Sequence, residues 1–165
     1  MKPIELKDKL HGVFNLTMTP FHKNGELNEE GLKANLRNLV KNCKGQDMVV
    51  LSLGTTGEFY TMSEKENLRV AEIVVNEING EFPVLIGSAR AGTRNTIEAS
   101  KAVQSVGADG VLICRPFVVA VYGGGEEGVK LYIDKLGAEL KDAMQMCGAH
   151  SVSEITRDMV RYYQD

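Results

Sequence analysis

The chain has 165 residues, 43% of them hydrophobic and 25% charged, with a formal net charge of −3 at pH 7. That is length enough for one domain with its own core, and the apolar content excludes a disordered chain. The slight acidic excess offers no basic surface for nucleic acid.

The first stretch, "MKPIELKDKLHG", is charged and has no apolar segment, so it does not read as a signal peptide. "GVFNLTMT" (12–19) is the first of four short apolar runs that read as strands. Asn28 is placed to cap a helix that carries Leu32, Leu36, Leu39, Val40 and Cys43 on one face. The second strand, "DMVVLSL" (47–53), runs into "LGTTGEFYTMSEKE" (53–66), where apolar residues give way to a small, hydroxyl-rich turn. Ser63 and Glu66 then form an S-x-x-E capping box ahead of Leu68, Ala71, Val74, Val75 and Ile78 at helical spacing. "FPVLIGS" (82–88) is the third strand, and Thr93 or Asn95 can cap a third helix with Ile97, Ala99 and Ala102. "DGVLICR" (109–115) is the fourth. The last three runs are continuously apolar, as expected of parallel strands covered on both faces.

After the fourth strand the alternation stops. "VYGGGEEGV" cannot stay helical across Gly123, Gly124 and Gly125. A long amphipathic helix is expected from about Glu126 to Cys147, with Val129, Ile133, Leu136, Leu140 and Met144 on one face and Gly148 ending it. A second capping box, Ser151 to Glu154, opens a short helix expected to run to about Tyr162. No apolar run approaches the roughly 20 residues that span a bilayer. Cys43, Cys114 and Cys147 fit no metal-ligand spacing and read as reduced core thiols of a cytoplasmic protein. Eight βα units take about 250 residues. The fold class is therefore α/β: a four-stranded parallel (βα)4 half of a TIM barrel with extra C-terminal helices, residues 1–165 forming a single half-barrel domain.

Two resemblances follow from these motifs. Residues of about 10–113, with "TPF" (19–21), "GELNEEGLKANLRNLV" (25–40), "LGTTGEFYTMSEKE" and "FPVLIGSARAGTRNTIEASKAVQSVGADGVL" (82–112), resemble the dihydrodipicolinate synthase and N-acetylneuraminate lyase family of class I aldolases. Residues of about 107–160, "GADGVLICRPFVVAVYGGGEEGVKLYIDKLGAELKDAMQMCGAHSVSEI", are similar to the C-terminal end of FMN-dependent α-hydroxy-acid oxidases and dehydrogenases. On this reading the chain looks like a chimera of two barrel pieces.

The aldolase resemblance implies that Thr55 and Thr56 hold the carboxylate of pyruvate, a role that hydroxyls and N–H groups near a helix start suit. It also implies a Schiff-base lysine on a sixth strand and a relay tyrosine after the proline that ends the fourth. Phe117 and Val118 follow Pro116 instead, and Lys33, Lys41, Lys44, Lys101, Lys130, Lys135 and Lys141 all read as helix or pre-strand residues. No residue is therefore assigned a catalytic role. The expected function is a catalytically inactive scaffold, with a pyruvate-dependent lyase of the aldolase family as the alternative.

The oxidase resemblance points to a phosphate site in the loops after the third and fourth strands. Gly87, Ser88 and Gly92 are placed to form a backbone nest, with Arg90 and Arg115 supplying charge. The competing reading makes both arginines solvated loop charges. The oxidase histidine and arginine pair precedes the matching region, so flavin oxidation is not expected; no cofactor is required, with FMN or phosphate the ones the loops would take. No metal site is expected, and the partner is a second copy in a homodimer that completes an eight-stranded ring. A monomer with its long C-terminal helix over the open face is the alternative.

Overall fold

Four short strands, alternating with helices, build one parallel sheet in the chain order β1-β2-β3-β4. The structure is a computed structural model and describes residues 3–112, 115–156 and 159. The elements are α1 (Pro3–Lys9), β1 (Val13–Leu16), α2 (Glu29–Cys43), β2 (Met48–Ser52), α3 (Glu64–Ile78), β3 (Val84–Gly87), α4 (Thr93–Ser105), β4 (Gly110–Leu112) and α5 (Arg115–Cys147). The chain divides into two compact units, one ending with β4 and the other beginning with α5.

In the first unit the register puts Phe14 beside Val49, Leu51 beside Leu85, and Leu85 beside Gly110. Alternation along each strand then sorts the side chains onto two faces. Met48, Val50, Val84 and Ile86 face the helices and join Leu32 and Leu36 of α2, Val70, Val74 and Ile78 of α3 and Val103 of α4 in one buried cluster. Each fully buried aliphatic side chain stabilises the fold by about 1.5–3 kcal/mol, which makes this layer the main source of stability. The other face is poorly covered at its edge: Phe14 and Leu16 remain 45% and 51% exposed. Among the described residues β1 and β4 each pair with one neighbour only.

The helices start and stop for local reasons. Asn28 caps α2 by accepting the Gly31 N–H at 2.9 Å, and Ser63 and Glu66 form the expected reciprocal capping box on α3. Asn79 ends α3 in the left-handed region, with its N–H on the Val75 carbonyl. On the outer surface Arg69 pairs bidentately with Glu29, and Arg37 with Glu77, tying α2 to α3. The expected side-chain cap on α4 is absent. Gly92, which has no side chain to cap with, occupies the N-cap position, and its carbonyl accepts the Thr96 N–H at 3.0 Å and the Thr96 hydroxyl at 3.1 Å.

In the second unit α5 contains the predicted break. Gly124 (φ −158°, ψ 15°) and Gly125 (φ 55°, ψ −137°) leave helical geometry and separate two helical arms. The arms approach closely where Gly128 meets the Ala120 carbonyl, a position with no room for a Cβ. Phe117 and Tyr132 pack edge to face at 5.2 Å. The sequence pattern predicted the second arm from about residue 126 but missed the first. That pattern carries the fourth strand to Arg115 and assigns no element to the valines after it, whereas a helix begins at Arg115 and tolerates Pro116 in its first turn. After Gly148 the described part of the expected terminal helix is a 3-10 turn at Val152–Glu154, and residues 157, 158 and 160–162 of that expectation lie outside the described part. Cys114 also lies outside it; Cys43 is half-buried but Cys147 is exposed, not a core thiol. No described helix is long and apolar enough to cross a membrane.

Gly87 leaves no room for a side chain, because a Cβ there would overlap the Leu53 carbonyl. Gly87→Ala is expected to cost about 1–3 kcal/mol or more through overpacking. Urea unfolding should show a lower midpoint with an unchanged slope.

Candidate functional site

The site begins where β2 ends. Leu53 turns the chain out of the sheet with φ 55°, while its side chain stays buried in the core, 1% exposed. Gly54, Thr55, Thr56 and Gly57 follow as a tight turn closed by the Gly57 N–H on the Gly54 carbonyl at 3.0 Å. The Glu58 N–H closes onto the Thr55 carbonyl at 3.1 Å. Glu58 is again left-handed, φ 57°, and its carbonyl accepts both the N–H and the hydroxyl of Thr61. Two non-glycine residues in this region, five positions apart, mark a turn held by its surroundings rather than by its own preference.

Those surroundings come from both neighbouring strands. Thr19, from the loop after β1, donates its hydroxyl to the Gly57 carbonyl at 2.8 Å in a buried contact. Gly57 itself lies close to Leu53 N and the Thr17 carbonyl, and on the other side the Leu53 carbonyl lies against Gly87. Below the turn, the Asn67 side chain donates to the carbonyls of Phe59, Met62 and Ser63. With its frame fixed this way, the turn exposes Thr55 and Thr56. Neither hydroxyl nor N–H of these two residues has a partner among the described residues. Thr56 borders a mainly apolar cleft of about 20 Å³ with Leu16, Thr17, Leu51, Gly54, Gly57 and Leu112, room for one water-sized group.

The residues assigned to a phosphate nest are placed differently. Where Gly87 was expected to offer a backbone donor, the Leu53 carbonyl approaches it, and a carbonyl oxygen repels an anion. Ser88 is fully buried, and its hydroxyl accepts from Ser100 of α4 at 2.8 Å. Arg90 is not a solvated charge. Its Nε and Nη2 donate to the two Glu64 oxygens at 2.6 and 2.9 Å, and Nη1 donates to the Ala89 carbonyl. Its guanidinium sits 5.6 Å above the Phe59 ring centroid. Gly92 is exposed at the start of α4. Arg115 opens α5, and its side chain lies outside the described part. Sequence reasoning missed Leu53, Phe59, Glu64 and Thr19. Only Phe59 and Glu64 carried a signal, being next to the turn and at the head of a capped helix. No group of His, Cys, Asp and Glu side chains among the described residues is arranged to hold a metal ion.

Parallel strands in chain order, with a donor-rich turn where β2 leaves the sheet, define a (βα)4 half-barrel of the TIM type with its open donors at the strand ends. Comparison with known proteins narrows the class: residues 9–156 match the dihydrodipicolinate synthetase family, and the chain belongs to it. It is 41% identical over 110 residues to a 4-hydroxy-tetrahydrodipicolinate synthase of Methanopyrus kandleri, covering 66% of this chain and 36% of that protein. Among solved structures it is similar to a protein described as the first monomeric dihydrodipicolinate synthase variant, with 30% identity and a TM-score of 0.60, covering 77% of this chain and 41% of the other. It is also similar to a chloride-inhibited dihydrodipicolinate synthase of Acinetobacter baumannii complexed with pyruvate, with 29% identity and a TM-score of 0.59, covering 66% of this chain and 36% of the other. The chain thus spans about a third of the length of the curated relatives it matches. The family match runs on through residues 107–156, and no comparison supports the expected likeness to FMN oxidases there.

The Arg90 hydrogen bonds hold the Glu64 carboxyl below its ordinary value of 4.5. A carboxyl lowered on folding stabilises the native state above its unfolded pKa and loses that contribution as pH falls through the folded one. Glu64 is 66% exposed, so the contribution lies below about 1 kcal/mol. The stability difference between the wild type and Glu64→Gln should therefore be present near neutrality and shrink progressively below pH 4.5. Urea titrations of both proteins at a series of pH values measure it.

Proposed function

We propose that this chain binds a small 2-oxo acid of the pyruvate type through Thr55 and Thr56, and does not itself form the Schiff base that the lyases of its family require. The observation that carries the first half is the pair of threonines whose hydroxyls and N–H groups lack partners on a turn fixed from both sides. A similar structure, the Acinetobacter baumannii synthase, was solved with pyruvate. The second half rests on lysine placement. Lys33 pairs with Glu29 and Glu30, Lys44 with Glu81, and Lys135 with Glu139. Lys41 lies on α2, Lys65 on α3, Lys101 on α4, and Lys130 and Lys141 on α5. Among the described residues no lysine lies in a strand or directly after one; Lys23, in the loop between β1 and α2, is exposed and stands seven residues beyond the strand. Phe117, at the position where the aldolase resemblance calls for a tyrosine, offers a ring to Tyr132 and has no proton to relay.

The second reading, a pyruvate-dependent lyase, has the names of the curated relatives in its favour. One experiment separates the two. Titration with pyruvate should shift the amide resonances of Thr55 and Thr56 at millimolar concentration, and Thr56→Val should weaken the response about threefold or more. Incubation with pyruvate and borohydride should leave the intact mass unchanged. A stoichiometric gain mapped to one lysine establishes the lyase reading instead. FMN and inorganic phosphate belong in the same titration, since Gly92 keeps a role in anion binding only if either ligand shifts the residues around α4.

The partner we propose is a second copy. A two-fold axis along the barrel would set β4 of each copy beside β1 of the other, keep all strands parallel, and satisfy the open backbone groups of both edges. It would also take Phe14 and Leu16 out of water. The solution mass by light scattering at micromolar concentration should be twice 18.1 kDa, and an 18.1 kDa species overturns the arrangement.

A further inference from the structure

Arg90 is unusual among the charged residues of the first unit because its side chain is only 10% exposed although it stands in a loop. Every guanidinium nitrogen is engaged within the chain, two by Glu64 and one by the Ala89 carbonyl. Its base is rigid as well: the Arg90 N–H donates to the Thr96 hydroxyl at 3.0 Å, which fixes the loop to α4. From that base the side chain reaches two residues that bracket the far end of the threonine turn. Phe59, directly after Glu58, lies under the guanidinium, and Glu64 is the first residue of α3.

We infer that Arg90 is a positioning residue for the Thr55–Thr56 turn, acting through Phe59 and Glu64, and not a ligand for the anion. The inference rests on the reading of Thr55 and Thr56 as the carboxylate site. The turn from Gly54 to Glu58 is anchored at its near end by the buried Leu53, whose carbonyl leans on Gly87. Its far end is held less deeply, since Phe59 only packs against the margin of the core and stays partly exposed. Phe59 is half-buried, with the Asn67 amide on its carbonyl and Arg90 over its ring, so the loop after β3 clamps the end that the sheet does not hold. An anion seeking Arg90 would have to displace a carboxylate that already makes two charge-assisted hydrogen bonds. The two anchors come from the two ends of one segment, Gly87 and Arg90, three residues apart. That arrangement explains why a loop of glycine, serine and arginine, which reads as a phosphate nest, contains no free charge.

The test compares the wild type with Arg90→Ala, Arg90→Lys, Glu64→Gln and the double variant Arg90→Ala/Glu64→Gln. Amide spectra are recorded first without ligand and then with pyruvate. In the free proteins the resonances of Gly54 to Phe59 should move in Arg90→Ala and Glu64→Gln, while those of Leu32 and Leu36 in α2 stay in place. The pyruvate dissociation constant should rise roughly 3–10-fold in each single alanine or glutamine variant. It should rise little further in the double variant, as expected of two residues acting as a unit. Arg90→Lys, which keeps one contact to Glu64, should recover part of the loss.

The ligand reading predicts the opposite sign for Glu64→Gln. Removing the competing carboxylate would free Arg90 and tighten anion binding with the turn resonances unmoved; that result overturns the inference, as does an unchanged spectrum and affinity in both variants. Should Arg90→Ala fail to fold, Glu64→Gln decides the question alone. If pyruvate leaves Thr55 and Thr56 unshifted in the wild type, the carboxylate reading fails, while the ligand-free spectra still decide whether Arg90 positions the turn.

Discussion

The close approach of the Leu53 carbonyl to Gly87 sets the geometry of everything at the strand ends. A leucine held at φ 55° costs about 1–2 kcal/mol relative to ordinary backbone. Burying the same side chain returns a similar or larger amount, so the conformation persists only because the core receives Leu53 on one side and β3 offers a bare Cα on the other. The consequence is directional. The chain leaves the sheet abruptly instead of continuing as strand, so the peptide groups of Thr55 and Thr56 stay out of both the β ladder and the next helix. Their donors stay free for that reason.

The charges of the first unit follow a related division. Glutamates and arginines on α2 and α3 pair with one another on the outer surface, and Arg90 is neutralised by Glu64. The threonine turn therefore presents hydroxyl and peptide dipoles with no paired cation of its own. Neutral hydrogen bonds contribute about 0.5–1.5 kcal/mol each after exchange with water. If the turn binds an anion as proposed, a small number of them would give an affinity nearer millimolar than micromolar, less dependent on salt than an arginine site would be.

Much of this was legible in the sequence where a local signal and the tertiary structure agree. The buried strands of Val, Leu and Ile, the α3 capping box and the glycine break in α5 all obey rules that act within a few residues. What escaped depended on contacts distant in sequence. Gly87 and Leu53 lie 34 positions apart, and Arg90 and Glu64 lie 26 apart. Each looked like something simpler in its own neighbourhood, a nest glycine and a loop cation. The first arm of α5 was missed for another reason: Val118, Val119 and Val121 favour strand by propensity, and the helix that forms there contradicts them.

These placements separate two tasks that a barrel lyase must combine. The contacts that hold the threonine turn directly come from the segment between Thr17 and Gly87: the hydroxyl of Thr19, the amide of Asn67 and the gap at Gly87. The turn therefore needs only the first three strands and the helices around them for its geometry. Bond making is different, since a Schiff base requires an amine facing the bound 2-oxo acid, and no strand end described here carries one. Closing a ring with a second identical copy would duplicate the turn and shield the apolar face without adding that amine. On the proposed reading, carboxylate recognition would rest on the turn after β2 and its neighbours in β1 and β3, apart from the bond-making chemistry of the larger family.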